Sequence, residues 1–405
     1  MRILVIILVQ LSLLLSFSSR ASDNLALEQN QNFNFAQKDW FDRIKISGLI
    51  MGELIFSNND EGKGQRFGNP KKSYSTFCFP RASLYVDAKV NEYADAHFAF
   101  NLAPNKMSTS CAACGFGKRN DELRFGKYDR IDESYVTFSD KDNHPYYARV
   151  GIQYVPYGNY TRNAIPASLT QLMTQTQAAG ATFGYTNPDN GLNFAFYGFS
   201  AKNKRDGATK INNVGAQAAY IKGTDKESTQ ITLGWMNNIA NSVNYIVSST
   251  QCCGGTEYND LNKGYRKMVQ GAALSLQHKT TSWDATLQYT TALSKFNSKD
   301  IEWKNKGAKP SAALVDAGYR FVAFGERDNR IGASYQISTQ AVNLKGNGNN
   351  AGLPKQRVQA DYTIEVLKNF EMGAHAFWDK DYSKNQGGTG KSSATILVTM
   401  SVKLG

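Results

Sequence analysis

The sequence predicts an all-β protein, a transmembrane antiparallel β-barrel of about 16 strands with long external loops and short periplasmic turns. Three observations carry that expectation: period-two alternation of apolar and polar residues, connections that alternate long and short, and prolines confined to those connections or their edges.

The alternation is easy to follow. Ala82, Leu84, Val86, Ala88 and Val90 share one face, against Ser83, Tyr85, Asp87 and Lys89 on the other. Ala96, Phe98, Phe100 and Leu102 likewise oppose Asp95, His97 and Asn101. Near the C-terminus Ile396, Val398, Met400, Val402 and Leu404 oppose Thr395, Thr399, Ser401 and Lys403. Segments of this kind fall at 43–57, 80–90, 93–103, 130–138, 146–154, 178–186, 192–200 and 211–222, then at 228–237, 264–278, 281–292, 312–323, 328–338, 355–366, 369–378 and 393–404. An even number of strands returns both chain ends to the same side of a membrane.

Connection length supplies the second observation. Every odd-numbered strand is followed by a longer polar loop: 58–79, 104–129, 155–177, 201–210, 238–263, 293–311, 339–354 and 379–392. Every even-numbered strand but the last is followed by a short turn, as at Asn91-Glu92 or Lys279-Thr280. Proline supplies the third, because it cannot donate to a sheet ladder. Residues 70, 80, 104, 145, 156, 166, 188, 310 and 354 are the nine prolines, and each falls in or beside a connection.

A soluble β-sandwich, such as a surface adhesin, also has one apolar face per strand, but it turns that face to a partner sheet. Strand length, loop rhythm and tryptophan placement favour the barrel. Trp235 and Trp378 lie near the outer ends of their strands and Trp283 near the inner end of its own, where interfacial girdles sit. The final strand lacks a terminal aromatic residue, and Leu404 stands in that place.

The first 21 residues read as a signal peptide: Arg2, an apolar run from Ile3 to Phe17, then Ser19 and Ala21 at the small-residue positions of a cleavage site. Cleavage after Ala21 leaves 384 residues. Residues 22–42 form a short, polar, Asn/Gln-rich periplasmic segment, and the barrel occupies 43–405. The mean hydropathy is −0.45, and no apolar stretch of membrane-helix length recurs, so any membrane role rests on strands.

The net charge is +12, or +10 once Arg2 and Arg20 leave with the signal. Lys and Arg are scattered and form no basic helix or zinc-finger spacing, which argues against nucleic acid. In an exported barrel a basic balance biases a lumen or loop surface towards anions.

With apolar residues facing lipid, the lumen receives Lys89, Arg149, Gln153, Arg320 and Lys403, together with Asp87, Asp95, Asp284, Asp316 and Asp361. An arginine on the lipid face near the midplane would cost about 2–4 kcal/mol, which pins Arg149 inward. The lining is mixed in sign. It either sets up a transverse field suited to polar solutes or pairs with itself across strands.

The third long loop carries Val155-Pro156-Tyr157-Gly158-Asn159-Tyr160 and then Ile165 to Gln177. Pro166 followed by a run free of breakers predicts a short helix with Pro in its first turn. Folded inward, it would narrow a pore and present Thr170, Gln171, Thr174 and Gln175; the alternative lays it across the outer mouth.

Cys78, Cys111, Cys114, Cys252 and Cys253 all lie in or beside expected external loops, where disulfides are the default and an odd number leaves one over. The alternatives are free thiols or, at Cys111-Ala-Ala-Cys114, a metal. His97, His144, His278 and His375 show no paired spacing, and no nucleophile-elbow, Walker or dinucleotide motif stands in usable context. The sequence therefore points to no enzyme and no cofactor.

Three stretches, Tyr147–Tyr160, Ile165–Tyr185 and Leu233–Tyr245, resemble the LbtU-type siderophore porins, and the likeness runs from about Lys45 to the C-terminus. The resemblance implies a sixteen-stranded outer-membrane barrel of a Gram-negative bacterium, with outer-membrane lipid and an iron–siderophore complex as its partners. A TonB-dependent receptor needs about 22 strands and a plug, more than 384 residues supply, so passage would be by facilitated diffusion or an unusual coupling. A general or anion-preferring porin passing small anionic solutes is the runner-up. Oligomeric state stays open.

Overall fold

The computed structural model describes residues 43–58, 73–101, 131–140, 143–161, 167–200, 211, 213–224, 226–242, 266–342, 344 and 352–404. The expected signal peptide, the polar segment 22–42, Pro166, and Cys111, Cys114, Cys252 and Cys253 lie outside them.

The chain forms β1 (Ile44–Ser57), β2 (Tyr74–Lys89), β3 (Ala94–Asn101), β4 (Ile131–Ser139), β5 (Tyr146–Tyr154), helix α1 (Leu169–Thr174), β6 (Gln177–Asn187), β7 (Leu192–Phe199), β8 (Asn213–Gly223) and β9 (Ser228–Met236). It continues with β10 (Gly271–Lys279), β11 (Trp283–Ala292), the hairpin β12 (Glu302–Trp303) and β13 (Lys306–Gly307), β14 (Ser311–Ala323), β15 (Arg327–Thr339), β16 (Gln356–Leu367), β17 (Phe370–Lys380) and β18 (Ser392–Leu404). All strands except β12 and β13 join one closed sheet of sixteen, each antiparallel to its chain neighbour, with β11 beside β14. The ring closes where β1 pairs β18, from Gly48 opposite Leu404 to Ser57 opposite Thr395. Closure leaves no unpaired edge.

The two faces are inverted relative to a soluble sheet. Outward positions expose large apolar side chains such as Ile50, Phe98, Val150, Phe196, Leu233 and Val358. Inward positions bury Ser, Thr, Gln, Asp, Arg and His, among them Gln288, Asp316, Gln336, Arg357, Gln359 and His375. A polar interior with an apolar skin is stable only where hydrocarbon replaces water outside. Among the described residues no helix is long and apolar enough to cross a membrane.

Aromatic residues gather at the short-turn end. Trp283 packs on Tyr319 at 4.7 Å, Tyr319 stacks on Phe321, and Tyr146 meets Phe183 and Tyr185. Trp235 and Trp378 are exposed near the opposite ends of β9 and β17. These are the two levels at which amphipathic rings sit in a bilayer.

Four details depart from the sequence reading. Strand β2 begins at Tyr74, so Pro80 and Cys78 lie within it. Pairing runs Met51 with Arg81 and then Glu53 with Cys78, so Phe79 and Pro80 together face Gly52 in a bulge, where a missing N–H costs no ladder bond. Strand β10 starts at Gly271 rather than 264, and just before it Val269 is turned into the loop cluster. The loop 293–310 contains the β12–β13 hairpin, whose turn residues Lys304 and Asn305 both have positive φ. Helix α1 begins at Leu169: the Ser168 hydroxyl accepts from the Gln171 N–H and caps it, so Ser168 rather than Pro166 sets its start.

Candidate functional site

Between β5 and β6 the described residues lie inside the barrel: 155–161 pack over the β6–β11 wall, and 167–176 pack onto β11, β14, β15 and β16 before β6 begins.

Glycine makes the first crossing possible. A Cβ on Gly234 of β9 would lie 1.5 Å from the Tyr157 carbonyl oxygen, so only hydrogen fits beneath that backbone. Tyr157 is fully buried against Val155, Ala178, Tyr197, Phe199, Met236 and Ala273, and its hydroxyl reaches Thr290 Oγ1 at 3.5 Å. Asn159 Nδ2 donates to Gln277 Oε1, and Gln288 Nε2 donates to the Asn159 carbonyl at 3.0 Å. Tyr160 pairs its hydroxyl with Thr174 Oγ1 at 2.6 Å, tying the start of the loop to the helix. Burial raises the Tyr157 and Tyr160 phenols above their ordinary value, so both stay neutral at any physiological pH. We expect Gly234→Ala to cost about 1–3 kcal/mol of stability by displacing Tyr157, read as a lower unfolding temperature of the barrel on SDS gels.

The helix is bolted to the far wall by amide and guanidinium groups. Gln288 Oε1 of β11 accepts from Thr170 Oγ1 at 2.5 Å and Ser168 Oγ at 3.2 Å. Gln336 Oε1 of β15 accepts from the Leu169 N–H at 2.8 Å, and Arg357 Nη1 of β16 donates to the Ala167 carbonyl. Six residues would not hold a helix in water, so these contacts and the packing below carry it.

That packing comes from the external loops. Leu169, Leu172 and Met173 join Ile239, Val269, Phe296, Ile301, Ala308, Leu344 and Leu353 in one buried apolar cluster. Described residues of the three loops after β9, β11 and β15 therefore pack down onto the helix on that side.

The expected pore residues separate into distinct environments. Gln171 and Gln175 lie on the less buried side of α1, with Gln171 Nε2 donating to Gln175 Oε1 at 2.9 Å. Thr170 and Thr174 are buried and serve as anchors, which corrects their expected place beside the glutamines. Gln153 is 1% exposed and accepts from Thr182 Oγ1 at 3.3 Å, so it joins β5 to β6 rather than standing open. Lys89 and Asp95 are direct cross-strand partners on β2 and β3. Arg149 is half-buried, with Nε donating to Thr137 Oγ1 at 3.2 Å and its guanidinium 4.3 Å from the centre of the Tyr135 ring.

Arg320 belongs to an ion-pair network that sequence reasoning glimpsed only in part. Its Nη2 lies 3.1 Å from Asp284 Oδ1, and Arg330 binds the same carboxylate through Nε at 3.0 Å and Nη2 at 2.8 Å. Arg330 also donates to Asp316 at 3.2 Å and to Asp361. A Cβ on Gly318 or Gly332 would strike the Arg330 guanidinium, so these glycines make its bed. A second buried pair joins Arg357 to Asp379 through two bonds of 2.7 Å. Period-two alternation puts Arg330 and Arg357 on the polar faces of β15 and β16, the signal that would have included them.

No family model matches the chain. Curated relatives are UPF0422 proteins: one from Coxiella burnetii is 25% identical over 356 residues, covering 86% of this chain and 69% of that protein. One from Legionella pneumophila strain Paris is 26% identical over 364 residues, covering 83% of this chain and 64% of that protein. The chain thus spans under two thirds of the Legionella relative's length. Among solved structures, the anion-selective porin from Comamonas acidovorans has a TM-score of 0.55 at 13% identity, covering 89% of this chain and 99% of that one. OprB of Pseudomonas putida gives 0.55 at 10% identity, covering 90% and 94%, and the outer-membrane channel DcaP of Acinetobacter baumannii gives 0.52 at 11%, covering 89% and 97%. The architecture is that of bacterial outer-membrane porins.

Proposed function

We propose that this chain is an outer-membrane diffusion channel, and that it takes up iron–siderophore complexes. The channel reading rests on one observation above the others: a closed sixteen-stranded ring with an apolar skin and polar interior, narrowed from within by its own third loop. Sixteen strands enclose more space than side chains alone fill. The buried Arg–Asp networks and the loop cluster occupy the β11–β17 side, whereas the inward residues of β2–β5 are mostly half-buried. The route for solute runs along that second wall, past Tyr85, His97, Tyr135 and Arg149 and beside Gln171 and Gln175.

The siderophore assignment draws on the resemblance of Tyr147–Tyr160, Ile165–Tyr185 and Leu233–Tyr245 to the LbtU-type porins. The second reading, a general or anion-preferring porin, draws on the net charge of +12 and on the half-buried arginines of the β2–β5 wall. Transport assays separate the two. A siderophore porin gives saturable uptake of the iron complex that is lost on gene deletion, whereas a general porin passes unrelated small solutes with little preference. Normal iron-complex uptake in the deletion strain, together with lost permeability to simple anions, selects the second reading. Repeating the assay between 0.1 M and 1 M salt, over which screening shortens from about 10 Å to about 3 Å, measures the electrostatic share.

A further inference from the structure

Five strand arginines face the interior among the described residues, and they divide by wall. Arg320, Arg330 and Arg357, on β14, β15 and β16, are each neutralised by an aspartate. Among the described residues neither Arg81 on β2 nor Arg149 on β5 makes an ion pair with a carboxylate, although Glu133 lies near enough to Arg149 to feel its charge. Both are held in the same way. A hydroxyl takes the Nε proton, Ser83 at 3.0 Å for Arg81 and Thr137 at 3.2 Å for Arg149, and a tyrosine ring lies alongside, Tyr85 or Tyr135. Arg81 spends Nη2 on the Tyr85 hydroxyl, but neither terminal nitrogen of Arg149 has a hydrogen-bond partner among the described residues.

We propose that Arg149, seated on Tyr135, is a binding station for one carboxylate group of a passing solute. The inference rests on the channel reading above. A guanidinium with its Nε pinned and its two terminal N–H edges open matches the two oxygens of a carboxylate, and it is already oriented before the solute arrives.

The support beneath it is built rather than incidental. Gly151 of β5 has φ +141°, and a Cβ there would meet the Ser134 carbonyl at 2.2 Å and Tyr135 Cα at 2.6 Å. Only glycine lets β4 and β5 approach so closely, and the approach sets Tyr135 beside Arg149 two residues away. His97 stacks on Tyr135 at 4.9 Å and is itself fixed by Asp87, with Nδ1 2.6 Å from Oδ1. Tyr147, two residues before Arg149 on the same face, lays its ring over Gly184 of β6.

Local charge penalises a dianion more than a monoanion. Lys89 and Arg149 share this part of the wall with Asp87, Asp95 and Glu133. One carboxylate exchanges water for a two-pronged bond at Arg149; a dianion such as phosphate adds repulsion from three acids without a second open guanidinium in the same row.

The test is ligand-observed NMR of benzoate and of inorganic phosphate with the full-length barrel folded in detergent, alongside chloride conductance in planar bilayers. Benzoate binding should saturate, inorganic phosphate should bind more weakly, and Arg149→Lys, which keeps the charge but loses the fork, should weaken benzoate about tenfold. Thr137→Val, which frees Nε without touching the charge, should weaken it about threefold and serves if Arg149→Lys fails to fold. Absence of benzoate saturation, equal affinity in wild type and Arg149→Lys, or tighter phosphate binding would each overturn the station. A barrel that conducts chloride but ignores benzoate refutes the station and leaves the channel; one that binds benzoate but conducts nothing refutes the channel and leaves the station.

Discussion

Deleting Leu169 to Thr176 should raise single-channel conductance several-fold and make the external loops protease-sensitive at the same time. Conductance through a tube is governed by its narrowest section, and a helix with its side chains is about 10 Å across. Placed inside a ring of this size, α1 and the loops resting on it are the largest obstruction among the described residues. The second effect separates this barrel from one whose inner loop merely hangs in the lumen. Leu169, Leu172 and Met173 are the floor on which Ile239, Val269, Phe296, Ile301, Leu344 and Leu353 pack. Without them those loops lose their apolar contact, and trypsin should cut at Lys267, Lys295 or Lys299 in the deletion variant and spare the wild type. Unchanged conductance with new cleavage would show that α1 supports the mouth but lies outside the conducting path. Raised conductance with no cleavage would show that the loops stand without it.

The two faces of each strand were legible because hydrocarbon enforces them. A polar residue facing lipid costs kilocalories, so the alternation along β3 and β18 is hardly interrupted, and apart from the starts of β2 and β10 element ends fell within a few residues. The inward fold of the third loop was legible for a related reason: Pro156, Tyr157 and the breaker-free run after 166 are poor material for a solvated loop. What could not be read was pairing across the lumen. Gln288, Gln336 and Arg357 meet α1 over sequence separations of more than a hundred residues, and nothing in their neighbours' identities marks them. The start of β2 was missed because Pro80 is a strand breaker everywhere except at a bulge or edge, and the bulge opposite Gly52 exists only in the register with β1. Arg81 lay inside the expected segment 80–90, two residues before Ser83 on the polar face, so the alternation itself was the signal that would have included it. The β12–β13 hairpin left a fainter trace, an asparagine in its two-residue turn.

The largest stability effect is expected at Arg330. Its guanidinium is the shared cation of Asp284, Asp316 and Asp361, residues drawn from β11, β14 and β16, so it ties four strands together across the inner face. Among the described residues Arg320 pairs with Asp284 alone and cannot take its place. Arg330→Met keeps most of the volume but takes the shared guanidinium from Asp316 and Asp361 and leaves Asp284 with Arg320, and breaking a buried ion pair from one side typically costs about 3–5 kcal/mol. The measurable consequence is a large drop in the temperature at which the folded form gives way on SDS gels, or in the urea midpoint in detergent. The size of the loss comes from stranded charge rather than lost packing, which a second substitution can test. Arg330→Met combined with Asp361→Asn removes one of the stranded charges and should be more stable than Arg330→Met alone, whereas Asp361→Asn in the presence of Arg330 should be destabilising. If the double variant is no better than the single one, Arg330 acts by filling the space above Gly318 and Gly332, and the network contributes shape rather than charge balance.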